Sequence, residues 1–505
     1  MGKPLICLTL TCPTLQQNAE IVEKYLKYID IAELRVDFLT EDEQLEVRKF
    51  PSMIKIPCIL TIRRISDGGK YDSSEFSRTA LFGRALAFAD RNPAKNYAYV
   101  DFEEDFHVPS LEDAALAFGV KIIRSCHKFD GPVDNIQEKF ESMRKTGFEI
   151  PKIVFTPNNL TDITRLFRDT ENFKSFDHIV CPTGALGTPA RILTYKTNSY
   201  ITYTSPRETI NNIKNSGHLD PITLNDLFNF RAISETTKIN AITGGLNISQ
   251  SSLLLLNAGF RSHGMDRVFI PIPSTSIPES LQFAEQLGID GMCISVPYNK
   301  EVIYDLEELD PETAEINACN TIIQKNGVWI GHDTYAAGFR HALSEFLGYP
   351  KLRHKKVAIL GAGGAAHAIA YTIKQMGGRA CVFNRTISKA RILAERYNFD
   401  YAPLGVEGLQ TLEKYSDIII QTSSVGQNIG SIPQKEDNPI WFYQFKGHEQ
   451  VFDVVYSLNQ TPILKAAAEA GCKITNGLQM LKYQSYRQFK YFTGQEYETL
   501  GLHKI

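Results

Sequence analysis

The stretch IPKIVFTP, residues 150–157, places one lysine inside an apolar run that is typical of a buried strand. Burying an unpaired charge is costly, and a buried lysine usually responds with a lowered pKa. A neutral lysine is a nucleophile that can form an imine with a ketone. We therefore expect Lys152 to be such a nucleophile or, alternatively, a side chain that snorkels to solvent from the start of the strand.

Seven further runs of the same character lie in the first 210 residues. In chain order the eight are PLICLTL from residue 4, IAELRVDFL from 31, PCILTIR from 57, YAYVDFE from 97, KIIRSCH from 121, IPKIVF from 150, HIVCPT from 178 and YITYTS from 200. Amphipathic stretches such as NAEIVEKYLKYI separate them. Eight strands that alternate with helices predict an α/β fold that begins with a (β/α)8 barrel.

The pattern restarts near residues 232–237. Runs KINAITG, RVFIPIP and GMCISVP precede a predicted hairpin that turns at Asn326-Gly327. From KKVAILGAGG onward, strand, glycine turn and helix alternate as in a Rossmann domain. We predict a barrel over residues 1–232, a ligand-binding lobe over 237–345 onto which C-terminal helices at 475–505 pack back, and a Rossmann domain over 350–474.

Composition narrows the class of protein. A net charge of -3 with 22% charged residues argues against a nucleic-acid binder, and no run approaches the roughly 20 apolar residues of a membrane span. The nine cysteines and eleven histidines show no metal-ligand spacing, so we expect no metal and reduced thiols. These features favour a cytoplasmic enzyme with small-molecule substrates, without nucleic-acid or membrane partners.

Charged residues at the C-terminal ends of barrel strands carry the most functional weight. Glu33, Arg35 and Asp37 share one face of their run by the period of two, which fits either a substrate site or a structural salt-bridge ladder. Arg63 and Arg191 also fall at or just after strand ends. Several cations around one barrel mouth indicate an anionic substrate that carries a carboxylate.

His127 ends the fifth run and Lys152 lies on the sixth. Neighbouring strands are about 4.8 Å apart, so both side chains can reach one small ketone. Lys152 would form the imine, which makes the adjacent carbon acidic, and His127 would move the proton. A class I aldolase-type barrel is an alternative because it shares the imine lysine, but His127 and the arginines argue against it.

The motifs ELRVDFL, TIRR followed by DGG, SCHKF, PKIVFTP and GxxxxxAR over residues 4–231 resemble type I 3-dehydroquinate dehydratase, a Schiff-base lyase on a (β/α)8 barrel. The resemblance implies Lys152 as the imine lysine and His127 as general acid/base, without a cofactor. It implies that Glu33, Arg35, Arg63 and Arg191 bind the substrate. Asp67 stands where the family has a glutamate that orients the histidine, and His218 stands near the place of the glutamine in the family's S-A-P-G-Q loop.

In the second half, VAILGAGGAA joins a strand to a helix, and the next strand ends in FNRT about twenty residues later, as in a dinucleotide-binding fingerprint. Glycines there let the backbone approach a pyrophosphate at the helix N-terminus. The residues of this predicted NADP(H) site are Gly361, Gly363, Gly364, Ala365, Asn384, Arg385 and Thr386. Asn384 and Arg385 replace the acid that holds a free ribose 2′-hydroxyl, which favours NADPH over NADH.

Residues 238–505 resemble shikimate dehydrogenase through NISQSS, SVPYNKEV, ACNTI, VAILGAGGAA, FNRT, SSVG, VFDVVYSLNQTPIL and NGLQMLKYQ. The resemblance implies a shikimate-binding lobe that uses Ser249, Ser251, Ser295, Asn320 and Gln484. The tandem resembles the bifunctional dehydroquinate dehydratase/shikimate dehydrogenases of the shikimate pathway, which leads to chorismate and the aromatic amino acids.

The family's catalytic lysine and aspartate are replaced by Asn299 and Tyr335. Lys300 follows one residue later and Asp333 precedes Tyr335 by two. In extended segments Lys300 would point to the opposite face, and Asp333 would lie about 7 Å back along Tyr335's face. We expect impaired reduction of dehydroshikimate. The alternative to a bifunctional enzyme is a dehydratase fused to a catalytically degenerate ligand- or dinucleotide-binding domain.

Overall fold

A computed structural model describes residues 2–86, 90, 92–245, 248, 250–423, 425–426, 434–456 and 460–497. The chain divides into two compact units. The first comprises residues 1–241, 245–248 and 264–289, and the second comprises 242–244, 249–263 and 290–505. No helix in the described ranges has both the length and the apolar character that a membrane crossing requires.

The first unit contains the predicted barrel of eight parallel strands. They are β1 Leu5–Leu10, β2 Ile31–Arg35, β3 Cys58–Thr61, β4 Tyr99–Glu103, β5 Lys121–Lys128, β6 Ile150–Phe155, β7 Ile179–Pro182 and β8 Ile201–Thr204. Their order is β7-β6-β5-β4-β3-β2-β1-β8, and a parallel bridge between His178 and Ser199 links the two ends. All eight predicted strands are confirmed.

Helices between these strands supply the outer layer. They are α1 Leu15–Tyr25, α2 Glu41–Leu45, α3 Phe50–Met53, α4 Glu75–Leu86, α5 Pro109–Ala117, α6 Ile136–Ser142, α7 Leu160–Thr170 and α8 Thr188–Ile192. In α7 the Asn159 side chain caps the N-terminus and one face is buried. Inside the barrel, apolar side chains that include Ile31, Ile59, Ile123 and Ile179 pack in one cluster. The polar side chains described below occupy the opposite, C-terminal mouth.

A mixed six-stranded sheet follows the barrel in sequence. Its strands are β9 Lys238–Gly244, β10 Arg267–Pro273, β11 Gly291–Ile294, β12 Glu308–Leu309, β13 Thr321–Lys325 and β14 Val328–His332, in the order β10-β9-β11-β13-β14-β12. The accompanying helices are α9 Gln250–Ser262, α10 Ile277–Leu287, α11 Pro311–Ile316 and α12 Tyr335–Leu347. The predicted hairpin β13–β14 is confirmed, with positive φ at both Asn326 and Gly327.

The last sheet is fully parallel and has the predicted Rossmann topology. Its strands are β15 Lys356–Leu360, β16 Arg379–Asn384, β17 Asp400–Pro403, β18 Ile418–Gln421, β19 Gln450–Asp453 and β20 Lys473–Thr475, in the order β17-β16-β15-β18-β19-β20. The helices are α13 Gly364–Gln375, α14 Ile387–Tyr397, α15 Leu409–Lys414, α16 Pro462–Glu469 and α17 Leu478–Thr493. Within the second unit α17 packs on α12 and α9. The exact domain boundaries stay predictions.

Candidate active sites

The barrel mouth encloses a cavity of about 570 Å³. All eight residues predicted for the barrel site line it, namely Glu33, Arg35, Arg63, Asp67, His127, Lys152, Arg191 and His218. They come from strand ends and from the loops that follow, because parallel strands of a barrel all end at the same face. Sequence reasoning missed Thr9, Tyr203 and Phe129, which also line the cavity.

Lys152 is buried on β6, so it does not snorkel to solvent. Its Nζ lies 3.0 Å from Asp101 Oδ2 and 3.6 Å from Glu33 Oε1. Burial lowers the pKa of Lys152, but the two carboxylates outweigh burial and hold that pKa above its usual value. The expected lowering was therefore wrong, because it assumed an unpaired charge. Asp101 on β4 was missed, although an acid inside a strand-like run could have pointed to it.

The charges around Lys152 form a connected buried network. Arg63 contacts Asp101 at 2.8 Å and Glu103 at 2.9 Å, and it also donates to Ser125. Burial lowers the pKa of Arg63, but Asp101 and Glu103 raise it well above its usual value. The guanidinium of Arg63 is thus bound mainly by Asp101, Glu103 and Ser125. Its positive charge contributes to the electrostatic potential at the barrel mouth.

The remaining two arginines differ in how far they are already paired. Arg35 donates from Nε and Nη2 to the two oxygens of Asp37, at 2.8 and 2.7 Å, so the structural salt bridge considered for this run does form at that pair. Arg191 donates from Nη2 to the Ser216 carbonyl, whereas its buried Nε has no partner among the described residues. Arg191 therefore offers the more available donor for a substrate carboxylate.

His127 lies beside Lys152 at the mouth. Burial and the charge of Arg63 lower the pKa of His127 to about 4, so the ring is neutral at pH 7 and can accept a proton. Its Nδ1 is 3.6 Å from Asp67 Oδ1, which is too long for a hydrogen bond, and the buried Nδ1 has no partner within the described ranges. Asp67 therefore does not orient the ring of His127 through a hydrogen bond in this structure.

His218 gives the cavity a second neutral imidazole. Its Nδ1 lies 2.7 Å from Ser205 Oγ, a partner that the sequence did not indicate. Burial lowers the pKa of His218 well below its usual value, and the charges of Arg191, Lys152 and Arg35 lower it further. His218 can therefore exchange a hydrogen bond with a substrate without adding charge to an already cationic mouth.

The predicted shikimate ligands are distributed over the second unit and the end of the chain. Ser249 lies outside the described residues, Ser251 is on α9, Ser295 follows β11, Asn320 precedes β13 and Gln484 is on α17. Asn320 Oδ1 accepts hydrogen bonds from the Thr334 amide and hydroxyl, at 2.9 and 3.1 Å. Its buried Nδ2 has no partner in the described part of the chain, so it remains available to a ligand oxygen.

Gln484 approaches the first turn of α12 because Gly338 lets two helices meet closely. A Cβ at Gly338 would lie 2.9 Å from the Met480 carbonyl and 3.0 Å from the Gln484 amide nitrogen. The same helix reaches β13, since Gln488 donates to Thr321 Oγ1 at 3.1 Å. The C-terminal helix thus brings Gln484 toward the segment that contains Asn320 and Tyr335.

The two dyad positions are occupied by neutral groups in folded segments. Asn299 is buried in a turn and donates its amide to the Ile294 carbonyl at 2.7 Å and the Cys319 carbonyl at 3.4 Å. Tyr335 opens α12, and burial raises the pKa of its hydroxyl well above the usual value, so the hydroxyl stays protonated at neutral pH. Neither segment is extended, so the face and spacing inferred for Lys300 and Asp333 do not apply.

Asp333 is buried ahead of α12 and accepts from the Ala336 amide at 2.7 Å. Its Oδ2 is buried without a partner among the described residues. Burial raises the pKa of Asp333 to about 7, so the carboxyl is partly protonated at neutral pH. An aspartate in this state is a weak substitute for a permanently ionised partner of a lysine.

The glycine turn after β15 fits a dinucleotide. Gly361 has φ of +121° and a Cβ there would lie 2.5 Å from Thr422 Oγ1, whereas a Cβ on Gly363 would meet nothing within 4 Å. Gly361 is therefore required by the turn, and the space at Gly363 lets a pyrophosphate approach the N-terminus of α13. Arg385 is exposed in the turn between β16 and α14, and Asn384 Nδ2 donates to the Thr386 carbonyl.

Sequence models of three families match the chain. They are type I 3-dehydroquinase over residues 6–235, the shikimate dehydrogenase substrate binding domain over 244–322 and shikimate/quinate 5-dehydrogenase over 342–436. The bifunctional 3-dehydroquinate dehydratase/shikimate dehydrogenase of Arabidopsis thaliana, named as chloroplastic, is 28% identical over 92% of this chain and 78% of its own length.

The shikimate dehydrogenase (NADP(+)) of Syntrophobacter fumaroxidans is 31% identical over 51% of this chain and 87% of its own length. A solved structure of dehydroquinate dehydratase and shikimate dehydrogenase from S. pombe AroM is 22% identical with a TM-score of 0.42, covering 98% of this chain and 97% of that one. The chain belongs to the shikimate dehydrogenase family, in the bifunctional form that carries a type I 3-dehydroquinase domain.

We predict that Lys152→Ala abolishes dehydration, because Lys152 supplies the buried amine that lies beside Asp101 and Glu33 in this cavity. Borohydride added with dehydroquinate should attach mass to the unaltered protein and to a Lys121→Ala control, which changes an exposed lysine on β5. Intact-protein and peptide mass spectrometry read the outcome. Attached mass elsewhere, or retained turnover by Lys152→Ala, would contradict the imine assignment.

We predict that His127→Ala still forms an imine but dehydrates about 10²- to 10⁴-fold more slowly, because it lacks the group that moves the proton. His107→Ala, at an exposed histidine, is the matched control. Borohydride trapping and the rate of enone absorbance separate the two steps. A variant at full rate would show that His127 has no such role.

We predict that Asp333→Asn raises the midpoint of thermal unfolding at pH 8 but not at pH 4. The folded-state pKa of about 7 exceeds the usual value of 3.8 for an aspartate, so stability falls as pH rises between these two values. A gap of this size lowers the free energy of unfolding by about 4 kcal/mol above pH 7. Asp134→Asn, at an exposed aspartate, should show no such pH-dependent gain. Equal midpoints for Asp333→Asn and the unaltered protein at pH 8 would refute the buried, protonated carboxyl.

Proposed function

We propose that the barrel dehydrates 3-dehydroquinate to 3-dehydroshikimate through an imine at Lys152. The observation that carries the proposal is the placement of Lys152 near two carboxylates, in one cavity with a neutral His127 and with Arg191. The ion pairs keep the ammonium folded into the site until the substrate arrives. Arg191, Arg35 and His218 would hold the carboxylate and hydroxyl groups of the substrate.

The reaction begins when Lys152 gives a proton to Glu33, since Arg63 and Lys152 hold Asp101 ionised, and the Lys152 Nζ then attacks the ketone. Loss of water from the resulting carbinolamine gives the imine, which acidifies the adjacent carbon. His127 takes the proton from that carbon and returns a proton to the hydroxyl that leaves as water. Hydrolysis of the imine consumes one water, which balances the water released when the imine formed, so the net reaction loses only the water that comes from the substrate hydroxyl.

We propose that the second half binds 3-dehydroshikimate and NADPH as the next enzyme of the shikimate pathway. Ser251, Ser295, Asn320 and Gln484 would bind the ring hydroxyls and carboxylate, together with Ser249. The glycine turn would hold the pyrophosphate, and Arg385 would bind the 2′-phosphate. NADPH supplies the hydride when bound, and Asn384 and Thr386 shape the turn on which its adenosine end rests.

The dyad positions make this second activity weak in our proposal. A lysine beside the reacting oxygen would supply charge stabilisation and a proton. Asn299 spends its amide protons on backbone carbonyls, and a Tyr335 hydroxyl of raised pKa is a poor base. The specific alternative that these contacts favour is a dehydratase fused to a lobe that binds product and dinucleotide without rapid reduction.

We also propose a cytoplasmic location. The nine cysteines are free thiols, eight of them buried, which suits a reducing compartment. The net charge of -3 fits small-molecule substrates rather than nucleic acid.

We predict that the unaltered protein reduces dehydroshikimate at least about a hundredfold more slowly than the double variant Asn299→Lys with Tyr335→Asp. Neither single change should suffice, because the two groups act as a unit. Steady-state NADPH oxidation measures the rates. Thermal melts of each variant check that the loss of Asn299's backbone hydrogen bonds has not unfolded the turn.

Rapid reduction by the unaltered protein would contradict this prediction. It would mean that Lys300, Asp333 or Tyr335 has taken over the role of the lost dyad. Lys300→Ala would then show whether the displaced ammonium is responsible.

A further inference from the structure

A second cavity, of about 410 Å³, lies within the second unit at the N-terminus of α13. Its walls are the turn after β11, the glycine turn after β15 and the start of α14. Lys300, Lys389 and His367 face it beside Gly363 and Gly364, and none of the described residues that line it is acidic. A cavity with this lining is suited to an anion.

Lys300 is an exposed residue that lines this cavity among other cations. Burial lowers the pKa of Lys300, and the like charges of Lys389 and Arg396 lower it further. No carboxylate within the described ranges pairs with its ammonium. The chain thus holds cations near one another at a helix N-terminus, where the backbone amides also carry partial positive charge.

His367 provides the second observation that points to a ligand. Its side chain is only 6% exposed, and its Nδ1 lies 3.3 Å from the Ile316 carbonyl, to which it must donate. Burial and the charge of Lys300 lower the pKa of His367 to about 4, so the ring is neutral and Nε2 is an acceptor, while the hydrogen bond to Ile316 uses Nδ1. A ligand that combines anionic oxygens with hydroxyl donors would satisfy both the lysine and this nitrogen.

We propose that Lys300 binds the diphosphate that joins the two riboses of the dinucleotide, and that His367 accepts from a ribose hydroxyl beside it. This inference rests on the proposed use of NADPH. It assigns a role to the lysine that lies one residue past the lost dyad position. Lys300 lines the cavity with Gly363 and Gly364, and so serves cofactor binding rather than proton transfer.

Binding assays on the full chain test this with three probes: NADPH, NADH and 2′-AMP, which has a 2′-phosphate but no diphosphate. Lys300→Gln should weaken NADPH and NADH by the same factor, about tenfold or more, and leave 2′-AMP unchanged. Arg385→Ala should weaken NADPH and 2′-AMP but not NADH. Lys374→Gln, at an exposed lysine near the far end of α13, should change none of them.

Each other outcome overturns a definite part of the account. Unchanged affinity of Lys300→Gln for both dinucleotides, in a protein that binds NADPH, refutes the role of Lys300 alone. A loss for NADPH and 2′-AMP without a loss for NADH would move Lys300 to the 2′-phosphate. An unaltered protein that binds neither dinucleotide would overturn both this inference and the proposed cofactor.

Discussion

The ion pair between Lys152 and Asp101 is the interaction on which the barrel site depends. An isolated ammonium at this depth would lose its proton or destabilise the fold. Asp101, shared with Arg63, instead holds the charge in place and links Lys152 to the network that includes Glu103. Removing one charged side chain from this network leaves its partners as uncompensated buried charges, so the stability of each member depends on the others.

The need to hold the charge of Lys152 also affects how this residue can form an imine. A protonated Lys152 is not a nucleophile, so the ammonium must lose its proton when the substrate binds. Asp101 is a poor acceptor for this proton, because Arg63 and Lys152 hold its pKa well below the usual value. His127, kept neutral by burial and by Arg63, then carries the later proton transfer. Lys152 thus forms the imine and His127 transfers the proton, and the different surroundings of the two side chains keep the first charged and the second neutral before the substrate binds.

The second half differs from the barrel because its two dyad positions carry neutral side chains. The positions that would carry a lysine and an aspartate hold Asn299 and Tyr335, and the nearby carboxyl of Asp333 is buried with a raised pKa. The cations of this region face the cavity at α13 instead. The two dyad positions therefore carry no charged side chain, whereas lysines that can bind phosphate line the cavity at α13.

The alternation of strand-like and amphipathic runs was enough to predict the barrel, the β13–β14 hairpin and the Rossmann sheet, because each rests on local periodicity and turn chemistry. β17 and β20 were missed because the first is partly exposed and ends in a proline and the second has only three residues.

The residues predicted for the barrel site do line one cavity. The raised pKa of Lys152 could not be inferred, because it depends on Asp101, which is 51 residues away in the chain. The partners of Asn299 are likewise set by tertiary packing.

The most direct test of the account is a single-turnover experiment on the unaltered protein with dehydroquinate and NADPH, in which enone and NADPH absorbance are followed together. We expect rapid appearance of the enone and a loss of NADPH that lags far behind it. Absence of the enone signal would contradict the imine site at Lys152. Simultaneous loss of NADPH would contradict the account of Asn299 and Tyr335.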